Sequence, residues 1–486
     1  MKINWRVANW IFCFGVAFIF LLLFAVSISP LTPNEGDDSC VYKQLGLVML
    51  KGKTPYVDVF DHKGPIMYMI QAVGMWMGGR WGLFLLNVLN LTGVLYLWNV
   101  IARHYMSNKK SYLPVLFTFL LYFGTMEEGN VTEDWCLLPL SYSLYLASRL
   151  FAHKIFPSFC ESLLLGMSAS IIILIRANNV ALLLCAFALI SVIVISKKSY
   201  KEFYRICIGA LLGCLSVIIA VLIFFYCKYG MNGVEMMIYG TFIFNLIYIK
   251  LPETSHFEFF FSNNFKFNFY FVIAILSSGY SFINNKSKES KVLPLFFAIS
   301  FFFCFFTMGR HSFIHYLITV IPLYVMCISF AFRNSVKEHV LFVFLAVFFS
   351  ISNIAVLRSK TWGGLNEQRL PFYYKGDLLV ASLDEGQKDS IWNYNALFPG
   401  LELLQRHGLI QCNRCVLPFQ YERSDVLRET EEGRIEKVKP PIVLIRPDFP
   451  YYSEIDSLFI KENYVLRDSL SKEVLVYELK KDTVGM

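Results

Sequence analysis

Three carboxylates, Glu35, Asp37 and Asp38, follow within a few residues of an apolar run that ends near position 31, and "DVFDHKGP" at 58–65 adds Asp58, Asp61, His62 and Lys63. Between them, "VYKQLGLVMLKGKTPYVDV" predicts a short amphipathic helix over about 41–50 closed by Gly52. A turn at Thr54-Pro55 and an extended "YVDVFD" carrying Tyr56 follow, so the two charged clusters can meet. A carboxylate in such a place can accept a proton from an attacking hydroxyl, and Lys63 can meet an anion. The alternative is a solvated acidic loop. A second acidic site is Glu133-Asp134 in "EEGNVTEDW", where acids at the start of a helix could equally be caps. A third set is Arg310, His311, His315 and Tyr316 in "GRHSFIHYLITVIPL", with Arg176 in "LIRANN" as a weaker counterpart. The planar fork of arginine matches phosphate oxygens. His311 and His315 share a helix face, but no acid lies near them in sequence and no metal is expected. Asn130-Val131-Thr132 is a glycosylation sequon in a loop too short to be a good acceptor. Carboxylates beside phosphate-binding cations suit group transfer from a lipid phosphate.

These side chains must be positioned by elements that live in lipid. The chain has 486 residues, 56% hydrophobic and 16% charged, with 47 Phe and 27 Tyr. Soluble domains carry about 25% charge, and a bilayer is the solvent that accepts so much apolar surface. The composition implies an all-α polytopic membrane bundle. Apolar runs near 10–30, 82–102, 111–126, 134–152, 159–175, 179–196, 206–227, 268–283, 292–308, 312–332 and 339–357 make about eleven spans. With the N-terminus in the cytoplasm, the inner connections collect the Lys and Arg clusters and the outer loops carry almost none. That places all three charged sets on the outer side of an inner (cytoplasmic) membrane. The net charge of +8 is spread among these clusters and forms no basic face for nucleic acid. "PIMYMIQAVGMWMGG" (65–79) is too short to span and is expected to lie in the interface or dip into it. The first helix is a retained span.

The first outer loop thus covers 31–81. A second, 228–267, is rich in aromatics and reads as an interfacial belt or a mobile lid. Residues 1–358 form the catalytic membrane domain. Residues 359–486 form a small periplasmic α/β domain with strand candidates at 377–383, 440–450 and 473–479 and a helix at 390–408 ended by a glycine stop. Of twelve cysteines, most lie in apolar runs as small hydrophobes. Cys412 and Cys415 form one CxxC, which cannot complete a zinc site and is either a local disulfide or two free thiols.

"DDSCVYKQLGLVMLKGKTPYVDVFDHKGP", "NVTEDWCLLPLSY", "LIRANN" and "GRHSFIHYLITVIP" together resemble the GT-C membrane glycosyltransferases, in particular bacterial members akin to protein O-mannosyltransferases and the lipid A aminoarabinose transferase. The resemblance covers roughly residues 1–350. It implies a polyprenyl-phosphate-linked sugar donor, a glycan, lipid or protein acceptor, an active site on the outer face and an inverting transfer. It implies that Asp38, with Asp37 as second choice, is the base. Glu133 or Asp134 matches the second acidic position, and Lys63, Arg310 and His315 lie near the donor phosphate. It requires no cofactor. Relatives often carry Pro-Pro after the lysine where this chain has Gly64-Pro65. A transporter or flippase of lipid-linked saccharides would instead carry charges mid-span in inverted repeats, and a polymerase would share the lipid-linked substrate.

Overall fold

A computed structural model describes residues 5–107, 110–249, 288–308, 313–331, 369–417, 420, 423–431, 433–448 and 454–480, with a few isolated positions besides. The runs at 268–283 and 339–357, Arg310 and His311 fall largely or wholly outside them. Two compact units divide the chain: Met1–Leu22, Leu85–Ile223 and Leu251–Leu357 form the first, and Leu23–Phe84, Phe224–Lys250 and Arg358–Met486 the second.

The first unit is helical. Its elements are α1 (Trp5–Phe24), α4 (Arg80–Arg103), α5 (Tyr112–Thr125), α6 (Thr132–His153), α7 (Phe159–Arg176), α8 (Ala181–Ser196), α9 (Tyr200–Ile238), α11 (Lys288–Thr307) and α12 (Ile321–Ala331), some of which run on into the second unit. Nine of the eleven apolar runs thus coincide with helices. Among the described residues, five stretches are long and apolar enough to cross a membrane, namely Trp5–Phe24, Arg80–Arg103, Phe159–Ser196, Tyr200–Ile247 and Ile314–Ala331. Lipid provides no hydrophobic drive between helices, so they pack through small residues and van der Waals contact. The seam of α7 with α9 shows this. A Cβ on Gly166 would lie 1.8 Å from the Ala210 carbonyl oxygen, and one on Gly213 would lie 1.9 Å from that of Leu163. Gly209 and Gly213 are spaced i, i+4, and Ser170 Oγ donates to the Cys214 carbonyl at 2.9 Å along the same seam.

In the second unit α2 (Asp37–Leu50) packs on α3 (Pro65–Trp76). At 12 residues α3 extends about 18 Å, less than the roughly 30 Å of a bilayer core. The helix expected at 41–50 starts at Asp37, so the two acids lie on its first turn. Gly36, at φ 73°, breaks the chain just before, and acids are favoured where backbone N–H groups lack partners. Nor is α2 amphipathic, since Ser39 to Gly46 and Val48 are all buried. The "YVDVFD" segment is compact rather than extended. Tyr56 sits at φ 69°, its N–H donates to the Val59 carbonyl at 2.8 Å, and Asp58 Oδ2 accepts from the Thr54 N–H at 2.6 Å. The loop expected from 228 is helical to 249. Helix α9 bends at Gly230 (φ 70°), a five-residue π turn follows, and α10 covers Phe244–Ile249. Residues 250–267 lie outside the described set.

The C-terminal part of this unit holds a four-stranded sheet, β1 (Ile391–Asn393), β2 (Ile442–Ile445), β3 (Tyr464–Ser469) and β4 (Leu475–Leu479), in the order β1-β2-β4-β3. β1 runs parallel to β2, and the other pairs are antiparallel. β2 is buried on both faces: Ile442 and Leu444 join one apolar cluster, Val443 and Ile445 the other, as alternating side chains must. Residues 377–383 are not a strand. They end the helix α13 (Arg369–Ala381) and the turn after it. Phe372, Tyr373, Leu379, Val380 and Leu383 recur with a helical period on the core side. The helix expected at 390–408 opens instead with β1, and only Leu397–Arg406 is helical. Gly408, at φ 63°, ends it as expected.

Gly213→Val is expected to force α7 and α9 apart and to lower stability by about 1–3 kcal/mol. Thermal unfolding of the purified protein in detergent measures this. An unchanged transition would mean the seam gives way freely.

Candidate functional site

Glu35 lies in a connection that three donors hold shut. Its carboxylate accepts from Arg80 Nη1 at 3.0 Å and from Lys43 Nζ on α2. Lys43, itself buried, also donates to the Ser27 carbonyl at 2.6 Å, and Arg80 Nη2 to that of Val26 at 2.9 Å. Burial pushes the Glu35 carboxyl up, but Lys43 and Arg80 together hold it below the usual carboxylate range. Asn34 Oδ1 accepts from the Gly36 N–H at 2.8 Å and presents α2. Asp37 is exposed and Asp38 partly so. Among the described residues no hydrogen bond or ion pair reaches the Asp38 carboxylate.

The "DHK" triplet is ordered side chain by side chain in the same unit. Asp61 is buried and accepts from Tyr68 Oη at 2.7 Å and from Gln420 Nε2 at 2.9 Å. His62 Nδ1 lies 3.1 Å from Asp61 Oδ1, and His62 Nε2 lies 2.7 Å from Lys63 Nζ. Burial raises the Asp61 carboxyl, but His62, Lys63 and Tyr68 hold it far below its ordinary range. Tyr56 Oη donates to the Lys63 carbonyl at 2.8 Å, and Asn245 Nδ2 to that of His62 at 2.7 Å.

In the first unit a second polar centre forms around Glu133 on the first turn of α6. Arg176 Nη1 donates to Glu133 Oε1 at 2.6 Å, and Thr132 Oγ1 donates to Oε2 at 2.8 Å. Asn179 Nδ2 reaches Oε1 at 3.4 Å from the 3-10 turn Ala177–Val180. His315 Nε2 stands 4.0 Å from Glu133 Oε2, while its Nδ1 lies 2.7 Å from Glu127 Oε2. The Arg176 guanidinium lies 4.1 Å from the centre of the Tyr316 ring. Asp134 does other work. It accepts from the Val131 N–H at 3.2 Å as a helix cap and from Tyr122 Oη at 3.0 Å. Asn130 is buried and its Oδ1 accepts from Trp135 Nε1 at 3.0 Å, which leaves the sequon without an exposed amide.

The fold is similar to that of ArnT. The crystal structure of ArnT from Cupriavidus metallidurans bound to undecaprenyl phosphate superposes with a TM-score of 0.65 at 12% identity, covering 98% of each chain, and its apo form gives 0.64 over 97% of each. ArnT, an aminoarabinose transferase, is a GT-C protein, so the likeness agrees with the motif resemblance as far as a helical, ArnT-like fold. The archaeal oligosaccharyltransferase AglB from Archaeoglobus fulgidus reaches only 0.47 at 14% identity, over 92% of this chain and 70% of that one, and nothing rests on it. No family model matches the chain, and no curated protein matches its sequence.

The structure thus joins Glu133, Arg176, His315 and Tyr316 in one unit, and Asp61, His62, Lys63 and Tyr56 in the other. Sequence reading missed Glu127, Asn179 and Arg80, and Gln420 as the partner of Asp61. Cys412 and Cys415 hold free thiols. No cluster able to hold a metal occurs among the described residues.

A carboxyl held below its ordinary value stabilises the fold above that value and ceases to do so as pH falls through it. The unfolding temperature is therefore expected to drop as pH falls from about 5 to 3. Glu35→Gln should be less stable at neutral pH, by about 3–5 kcal/mol for an orphaned buried cation, and less sensitive to acid. Melting curves across this pH range test both. An equally steep acid limb in the variant would remove Glu35 from the explanation.

Proposed function

We propose that the chain is a membrane glycosyltransferase that moves a sugar from a polyprenyl-phosphate carrier to a glycan, lipid or protein acceptor, with inversion at the anomeric carbon. The observation that carries this reading is the contrast at the first connection. Glu35 and Asp61 are locked by cations and hydrogen bonds, whereas Asp38 is a partly exposed acid on the first turn of α2 with no partner among the described residues. A general base needs an accessible carboxylate within reach of the hydroxyl it deprotonates. In the proposed step the acceptor hydroxyl oxygen bonds to the anomeric carbon. Asp38 takes its proton, and the bond to the phosphate oxygen breaks with its electron pair leaving on the polyprenyl phosphate. Lys63 holds that phosphate. ArnT, whose fold this chain shares, is seen with undecaprenyl phosphate bound, which supports a lipid phosphate as the carrier.

Arg176, paired with Glu133 and stacked on Tyr316, is proposed as a second anion-binding group, with Glu133 rather than Asp134 as the functional acid of that pair. His315, set between Glu127 and Glu133, orients the latter. The arrangement we infer has about eleven spans in the inner membrane, the N-terminus in the cytoplasm and residues 359–486 in the periplasm, so that Asp38 faces the outside.

Asp38→Asn is expected to cut transfer by about 10²–10⁴-fold while leaving folding and undecaprenyl phosphate binding intact. Asp37→Asn should cost much less. The assay is loss of sugar from the purified polyprenyl-linked donor, read by mass spectrometry, with the donor pool of a deletion strain identifying the sugar. Retained transfer in Asp38→Asn would remove Asp38 as the base, and absence of transfer in the wild type would favour a transporter of lipid-linked saccharides.

A further inference from the structure

Lysine is a flexible carrier of charge, four methylenes long, and left alone it samples many directions. Lys63 is not left alone. We propose that Asp61 and His62 are positioning residues that aim the Lys63 ammonium at the phosphate of a lipid carrier, an inference that rests on the function proposed above.

The geometry runs in one direction. An ammonium can only donate, so His62 Nε2, 2.7 Å from Lys63 Nζ, is the unprotonated ring nitrogen and the proton sits on Nδ1. Nδ1 lies 3.1 Å from Asp61 Oδ1, a close electrostatic contact rather than an aligned hydrogen bond, and a neighbouring carboxylate favours that tautomer. Asp61 is fixed in turn by Tyr68 Oη at 2.7 Å and by Gln420 Nε2 at 2.9 Å. Gln420 is buried, and its Oε1 accepts from the Val416 and Leu417 N–H groups at 3.1 Å each. The origin of the relay is therefore a residue 359 positions away in sequence. The backbone is held as firmly. The Lys63 N–H donates to Tyr68 Oη at 3.0 Å and its carbonyl accepts from Tyr56 Oη at 2.8 Å. With one ammonium N–H given to His62, the direction of the other two is set. Asp61 and His62, both buried, thus act through Lys63 and do not touch the substrate.

The test is a double-mutant cycle on the full-length protein in nanodiscs, with undecaprenyl phosphate as probe, its dissociation constant and the unfolding temperature read together. Lys63→Ala is expected to weaken binding by about tenfold, the loss of one charge-assisted contact. His62→Phe is expected to weaken it by a similar factor, and His62→Gln, whose amide oxygen can accept from the ammonium, to recover most of that. The double variant His62→Phe/Lys63→Ala should bind no more weakly than Lys63→Ala alone, because a positioning residue has nothing left to position. If His62→Phe binds like wild type while Lys63→Ala is weak, the positioning role is wrong and the lysine's role stands. If His62→Phe is as damaging without Lys63 as with it, the imidazole acts independently and the relay is overturned. If Lys63→Ala binds like wild type, the phosphate role of Lys63 in the proposed function fails, and this inference with it. Should His62→Phe not fold, Gln420→Ala loosens Asp61 without touching the ring and should weaken binding by a smaller factor. Unchanged affinity there would overturn the relay equally.

Discussion

A charge buried in low dielectric must be matched by an opposite charge or by hydrogen-bond donors, because the desolvation it suffers amounts to several kcal/mol per ion. Three carboxylates of this chain obey that constraint, and each ties together elements that are otherwise distant. Glu35 joins its connection to α2 through Lys43 and to the start of α4 through Arg80. Asp61 joins its loop to α3 through Tyr68 and to the C-terminal segment through Gln420. Glu133 joins α6 to the end of α7 and the turn after it through Arg176 and Asn179. Apolar packing brings helices together with little directional preference, whereas these pairings accept only a narrow range of geometries.

The same constraint sorts the acids by what they can do. A carboxylate surrounded by donors is held ionised and has no access to an incoming hydroxyl. Glu35 and Asp61 are of this kind. Asp38 differs in being partly exposed on the first turn of a helix, with no partner among the described residues enclosing it. Glu133 stands between the two classes. It is buried, yet its partner Arg176 keeps part of its surface exposed and lies on an aromatic ring.

How much of this could be read from the residues alone depends on how local the cause is. Apolar runs report on single helices, and the nine that fall among the described residues all became helices. The glycine stop at 408 acts within a turn and was legible, whereas the helix start was set four residues too late and left Asp37 and Asp38 in the loop. Period was misjudged where the window was short. The "DLLVASL" stretch is a short apolar run that suits a strand, but from Phe372 to Leu383 the spacing is helical. The loop expected beyond 228 was a matter of aromatic content outweighing continuity, since one glycine bend lets α9 run on. What had no local signal were the partners. Glu127 meets His315 across 188 positions and Gln420 meets Asp61 across 359, and nothing near either residue announces it.

The fold and the chemistry are held by different kinds of constraint, and they need not be inherited together. A span facing lipid requires apolarity and, at a seam such as Gly166–Ala210, a small residue, so most positions can change without altering the bundle. This is why a chain 12% identical to ArnT can follow its path over 98% of both lengths. Such a likeness says little about which side chain meets the sugar. Polar cages are less forgiving, because removing one partner of a buried pair leaves the other charge uncompensated. The case for group transfer at a lipid phosphate therefore rests on Asp38, left accessible among locked acids, and on a lysine whose ammonium meets His62 beside the buried Asp61.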